Sequence, residues 1–213
     1  MNLFSKLLLV TSLGMACGAQ ATVINSIPGG GTTRAFSPPE QLTAGPVSEN
    51  GFTWTSTYDY SVYGGEYGYG LNSNGYWDGS FTYIGLNTDN TDPNNPDPFM
   101  TITFDRRVSS VLAFLNYATS TDVDYGTPYM AIYDINNTLI ESHDLSISTP
   151  GGINEGEDWG FSQSSAIIKS FRLGGAYIAA ADLRVGSVPE PASLALLGIG
   201  LAGLGAMRRR QRA

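Results

Sequence analysis

The chain has one cysteine and one histidine in 213 residues, and charged side chains make up only 14% of it. A single cysteine excludes a disulfide scaffold and any multi-cysteine zinc site, and a single histidine excludes centres built on several imidazoles. Basic residues are scarce as well: 11 Lys+Arg stand against 19 Asp+Glu, for a net charge of −8. Nucleic acid is excluded as an expected partner, because neutralising phosphates needs a Lys/Arg patch. Between residues 22 and 187 no apolar run follows the 3.6-residue period of a helix, and no long-period repeat is present. No G-x-S-x-G elbow offers His143 a serine partner, and the glycine runs at Gly29–Gly31 and Gly64–Gly70 do not open phosphate-cradling helices. Glycine (26) and tyrosine (12) are plentiful instead. That balance belongs to a β-rich extracellular domain.

Met1–Ala21 has the plan of a secretory signal peptide. Lys6 supplies the positive start, Leu7–Gly18 the apolar stretch, and Ala19-Gln20-Ala21 a small-residue cleavage site, so the mature chain is expected to begin at Thr22. The apolar stretch is too short for a spanning helix. A lipoprotein would use Cys17, but Gly14-Met15-Ala16 is a poor approach to a lipidated cysteine.

A second apolar segment, Ala192–Met207, is followed at once by Arg208-Arg209-Arg210-Gln211-Arg212. Sixteen helical residues span about 24 Å, a little under the ~30 Å hydrocarbon core, a gap that bilayer thinning or snorkelling arginines can close. The arginines hold the tail on the cytoplasmic side and place everything before Val188 across the membrane. In front of the segment stands Val188-Pro189-Glu190-Pro191, whose prolines keep the chain extended. Signal peptide, Pro-Glu-Pro, Gly/Leu-rich span and arginine cluster, in that order, resemble the PEP-CTERM sorting signal. The resemblance implies an exported substrate of exosortase in a Gram-negative bacterium that makes extracellular polysaccharide. It also implies recognition near Val188, Pro189, Glu190 and Pro191, a membrane-anchored precursor in the inner membrane, and delivery to the cell surface or beyond. A plain tail anchor has no need of Pro-Glu-Pro.

Thr22–Ser187 remains as one domain by size. It holds six Lys/Arg and eighteen Asp/Glu, a net charge of −12. Phe52–Tyr60 alternates apolar and polar residues. Met100–Phe104 and Val108–Tyr117 are expected strands about a charged turn, Asp105-Arg106-Arg107. Tyr129–Asp134 and Thr138–Ile147 flank Asn136-Asn137, a hairpin signal, and Ala166–Leu173 and Ala176–Val185 flank Gly174-Gly175, another. These spacings predict an all-β fold, an antiparallel β-sandwich. The strings T-I-T-F-D, V-x-A-F, I-Y-D-x-N-x-T-L and F-x-L-G-G between Phe99 and Val185 resemble jelly-roll surface proteins, an architecture shared with carbohydrate-binding modules. The expected core is carried by Trp54, Ile102, Phe104, Leu112, Phe114, Ile132, Ile168 and Phe171, with Tyr58 and Phe81 also packed inward.

Two clusters between the signals have the chemistry of ligand sites. Tyr67, Tyr69, Tyr76 and Trp77, flanked by glycine and asparagine, are expected at the surface as a platform on which sugar rings stack. Asn87–Asp97 is dense in oxygen donors, and Asn87, Asp89, Asp92 and Asp97 suit calcium, although the loop lacks the glycine and glutamate of an EF-hand. Asx-rich turns have the same composition. Asp122-Val123-Asp124 and Glu155-Gly156-Glu157-Asp158 are smaller acidic clusters that could join a calcium site. Neither Glu155 with Asp158 nor His143 beside Glu141 and Asp144 makes a case for catalysis, so the domain is expected to be non-enzymatic. Two functions follow from the residues: a structural or adhesive protein of the exopolysaccharide layer, or a surface lectin resembling a carbohydrate-binding module.

Overall fold

The computed structural model of the protein describes residues 21–68, 76–88, 97–117, 127–145, 149, 151–175 and 177–187. The expected signal peptide up to Gln20, the apolar segment 192–207 and the Pro-Glu-Pro motif lie outside the described residues. So do Tyr69, Asp89, Asp92 and the pair Asp122 and Asp124. Among the described residues no helix occurs, and none is therefore long and apolar enough to cross a membrane.

Strands β1 (Thr22–Ile24), β2 (Thr32–Arg34), β3 (Gln41–Leu42), β4 (Val47–Glu49), β5 (Phe52–Ser56), β6 (Val62–Tyr67) and β7 (Asp78–Gly85) make up the first half. The second half holds β8 (Phe99–Val108), β9 (Ser110–Asn116), β10 (Tyr129–Tyr133), β11 (Leu139–Asp144), β12 (Glu157–Ser162), β13 (Ile168–Gly174) and β14 (Ala179–Gly186). They form two antiparallel sheets. One has the order β1-β12-β9-β14-β7-β6-β3, with β2 also paired to β14; the other runs β11-β10-β13-β8-β5-β4.

Alternation places one face of each strand on the core. In the six-stranded sheet, Trp54 faces Ile102, Ile102 faces Phe171, and Phe171 faces Ile132, a single row across four strands. All four are fully buried, together with Phe104 and Ile168. Tyr58 packs on the rim of this cluster, half-buried. The Asn136-Asn137 hairpin forms as its residues require: Asn137 takes the left-handed conformation at φ 59°, and the Asp134 carboxylate accepts the amides of Asn136 and Thr138 at 2.8 Å each. Those amides hold the Asp134 carboxyl below its usual range.

Three sequence expectations are corrected. Asp105-Arg106-Arg107 is not a turn between paired strands but the exposed end of β8, and the chain changes sheets at Ser109. Thr103 faces Ser170 and Val108 faces Ile168, so four residues of β8 stand opposite Lys169 alone. This wide bulge frees backbone carbonyls, and the Lys169 ammonium donates to those of Phe104 and Asp105. Nor is Gly174-Gly175 a hairpin: β13 pairs in one sheet and β14 in the other, and Gly175, at φ 106°, turns the chain across. In β9 the core-facing residues are Val111, Ala113 and Leu115. Leu112 and Phe114 belong to the opposite face, where half-buried Phe114 joins a second cluster. The strand is apolar on both sides, so no alternation marks its inward face.

Glu49 on β4 accepts from the Ser37 amide at 2.7 Å and from the Tyr63 hydroxyl. Burial alone would raise its pKa, but these bonds outweigh it and hold the carboxyl below the usual range. The same burial, with the Glu49 charge beside it, pushes the Tyr63 hydroxyl far up. A carboxyl depressed in the fold contributes stability that is present above its unfolded pKa and lost as pH falls through the folded one. Tyr63→Phe is therefore expected to cost about 1–2 kcal/mol at neutral pH, the value of a hydrogen bond to a charged group at a partly buried site. Urea melts in acid, where Glu49 is protonated, are expected to show a smaller difference; an unchanged difference would detach Glu49 from the effect.

Candidate functional site

The aromatic segment runs along β6 and β7 on the outer face of the eight-stranded sheet. Tyr67 is 65% exposed and Tyr76 46% exposed, in agreement with their glycine-rich flanks. Trp77 corrects the expectation: it is 1% exposed. Its indole stacks on Tyr83 at 5.6 Å and 22° and meets Phe81 and Phe114 edge-on at 5.5 and 6.1 Å. The reason lies in its neighbours, since Ala179 and Ala181 on β14 leave a shallow floor that a large ring fills. Phe81 lies in the same cluster and stacks on Phe114 at 5.5 Å. Trp77 is packing for this face.

The Tyr67 ring lies over Gly79, where a Cβ would come within 2.6 Å of it; Gly79 also takes φ 94°. Gly65 is covered by the Tyr83 ring in the same way. These glycines let a tyrosine lie flat across a neighbouring strand, which no side chain at those positions would permit. The Tyr83 hydroxyl donates to the Tyr67 carbonyl at 3.3 Å, and burial, then the Glu40 charge, pushes its pKa up.

A second segment completes the surface. Tyr76 and Ile153 form a parallel bridge, with the Tyr76 amide on the Gly152 carbonyl at 3.2 Å and the Asn154 amide on the Tyr76 carbonyl at 2.7 Å. The Asn154 side chain, at φ 53°, donates to the Asp78 carboxylate at 2.6 Å and accepts the Asp78 amide at 3.2 Å. This bond, then that of Ser80, holds Asp78 below the usual carboxylate range. The surface thus presents two phenol rings, the exposed Ile153 and a hydrogen-bonded Asp78–Asn154 pair. Sequence reasoning missed Ile153 and Asn154, because a parallel bridge between residues 76 and 153 leaves no local signal. It brings Glu155, also exposed, up to the aromatic segment, whereas Glu157 is taken by the Trp159 indole at 2.9 Å and Asp158 by Arg184. His143 stacks on Trp159 at 5.5 Å and 27°.

Of the oxygen-rich loop, Asn87 and Asp97 are described, both exposed. Asp97 meets the Tyr129 hydroxyl at 3.5 Å, and burial, then the Asp97 charge, pushes Tyr129 up to about 12. Among the described residues no three His, Cys, Asp or Glu side chains are grouped as metal ligands.

The ends of the domain have a geometry of their own. Thr22 faces Ser162, Ser162 faces Ser110, and Ser110 faces Gly186. The first and last strands therefore finish in one row, on one pole of the sandwich. Three strand spacings put them about 14 Å apart.

Residues 187–210 match the family model of the PEP-CTERM protein-sorting motif, so the match begins on the residue after β14. That motif implies an exported protein whose membrane-anchored precursor is processed by exosortase. No curated protein matches the chain. Among solved structures, the fucose binding module SpX-3 of Streptococcus pneumoniae is similar over 50% of this chain and 73% of its own, at 9% identity and a TM-score of 0.32. Likeness at that level carries nothing about this chain's ligand.

Proposed function

We propose that this is a non-catalytic surface protein, released or transferred by exosortase, with a structural or adhesive role in the exopolysaccharide layer of a Gram-negative cell. The observation that carries the reading is the sorting motif at residues 187–210, attached directly to the last strand of an all-β body. A net charge of −12 between the two end segments suits a soluble, hydrated matrix component. The lone imidazole stacks on Trp159, which supports reading it as packing.

Mass spectrometry of surface material is expected to find neither Met1–Ala21 nor Ala192–Ala213. Alanine at Pro189, Glu190 and Pro191 together is expected to leave the precursor in the membrane with its arginines attached. Surface protein that retains Arg208–Arg212 would overturn the sorting mechanism and leave a simple anchor.

A second reading, a carbohydrate-recognition module, is favoured by the exposed Tyr67 and Tyr76 beside the Asp78–Asn154 pair. Flat phenol faces and a polar pair are what a sugar ring needs: stacking on one side, hydroxyl bonding on the other. Glycan-array binding by the full chain is expected to weaken at least about fivefold on Tyr76→Ala, as for an aromatic anchor at an interface. The fold should not suffer, since the ring is exposed. Binding indifferent to Tyr76 and Tyr67 would remove the platform.

A further inference from the structure

The pole from which the sorting motif leaves also gathers four cations that have no carboxylate partner among the described residues, Lys169 being held there by the Phe104 and Asp105 carbonyls. Of the six cations between residues 22 and 187, two are used elsewhere: Arg172 lies over Phe99 and Tyr133, and Arg184 pairs with Asp158 and Asp182. The other four, Arg34, Arg106, Arg107 and Lys169, line two adjoining clefts of about 410 and 380 Å³. Asp105 is the one carboxylate in either lining, a local balance of +3 on a domain of −12. Asp134 stands in the nearby turn but accepts that turn's own amides. Arg106 and Arg107 are exposed on the β8 bulge and have no ion pair among the described residues. Arg34 is oriented by a bond to the Asn50 carbonyl at 2.9 Å.

The larger cleft is also lined by Val185, Gly186 and Ser187, the last residues before the sorting motif. Only residues 188–191 separate Ser187 from the apolar segment that begins at Ala192. Four extended residues reach at most about 14 Å. While the apolar segment is in the bilayer, this pole stays within about that reach of the point where the segment enters it. The start of β1 lies in the same row, so a precursor still carrying its signal peptide is tethered at this pole twice.

We propose that the Arg34–Arg106–Arg107–Lys169 pole docks the precursor onto anionic phospholipid head groups, with guanidinium groups on lipid phosphates, and holds the sandwich upright for processing. This rests on the sorting reading. Guanidinium pairs with phosphate in a bidentate fork, and charges in direct contact with head groups lie well inside the Debye length of about 8 Å, where screening is weak. The acidic remainder of the domain is repelled from the same surface, so the two fields orient the body together. Docking also turns the opposite pole, where Asn87 and Asp97 lie, away from the bilayer. Removal of the tail ends the tether and frees the pole.

The test uses the full chain with Cys17→Ser in nanodiscs, with a fluorophore on Asn136→Cys at the basic pole or on Asp59→Cys at the other, and a nitroxide on the lipid head groups. Quenching at residue 136 is expected in discs containing phosphatidylglycerol, weak in pure phosphatidylcholine, and absent at residue 59 in both. Arg106→Gln with Arg107→Gln is expected to lower the docked-to-undocked ratio about 25-fold, roughly fivefold for each arginine near an anionic surface; Arg106→Lys with Arg107→Lys should largely keep it. Quenching at residue 136 that ignores lipid charge and the arginines overturns the proposal. Quenching that appears only with exosortase in the disc also overturns it and assigns the pole to the enzyme. Sorting is read separately, by loss of Arg208–Arg212 from surface protein, so normal tail removal with an indifferent pole sinks the docking alone.

Discussion

Trp77→Ala is expected to cost about 3–5 kcal/mol of folding stability, the range for emptying a buried aromatic site. The ring touches Tyr83, Phe81 and Phe114, so its loss opens a void on the outer face of the eight-stranded sheet. Set against typical domain stabilities of about 5–15 kcal/mol, this is enough to unfold a large share of the protein. Trp77→Phe is expected to cost far less, about 1.5 kcal/mol or below. The indole N–H is buried with no hydrogen-bond partner among the described residues, so phenylalanine removes an unsatisfied donor along with some volume. Chemical denaturation of both variants gives the comparison. A near-neutral Trp77→Ala would place the ring at the surface and restore it to the platform. Lost glycan binding in that variant alone would say nothing about contact with sugar, which is why Tyr76 is the residue to replace.

Gly160→Ala is expected to be as damaging, at about 3 kcal/mol or more, although it adds one methyl group. Gly160 lies in β12 between β1 and β9, facing Ile24 on one side and Leu112 on the other. A Cβ there would sit 1.9 Å from the Val111 carbonyl oxygen and 2.7 Å from the Leu112 Cα. Both are backbone atoms of a central strand, so no rotamer change can make room. The strand must move and the β9–β12 ladder with it. Loss of circular dichroism or a melt lowered by many degrees would agree; a change under about 0.5 kcal/mol, the ordinary scatter of surface substitutions, would show that the strands part easily.

The strands that alternate cleanly are legible from their residues alone. Phe52, Trp54, Met100, Ile102 and Phe104 face inward because their neighbours are polar and face water. The Asp134–Thr138 turn is legible too, since asparagine accepts a positive φ and aspartate binds its own turn. Elsewhere local signals mislead. Asp105-Arg106-Arg107 has the composition of a turn, yet a lysine on the next strand satisfies the carbonyls of a bulge and the strand goes on. Gly174-Gly175 has the composition of a hairpin, yet its two strands join different sheets. Of the expected platform, Tyr67 and Tyr76 are exposed while Trp77 is not, because the alanines that seat it are a hundred residues further along the chain.

The all-β class and the sorting motif are written in neighbouring residues: alternation at period two, and a Pro-Glu-Pro motif followed by an apolar run and arginines. Other features came from the folded arrangement: which face of β9 is the core, the place of Ile153 and Asn154 beside Tyr76, and the pole shared by both ends and four cations. These follow from pairing between segments far apart in the chain. The energy of such pairing depends on what each strand meets across the ladder and across the sandwich, which no local pattern contains.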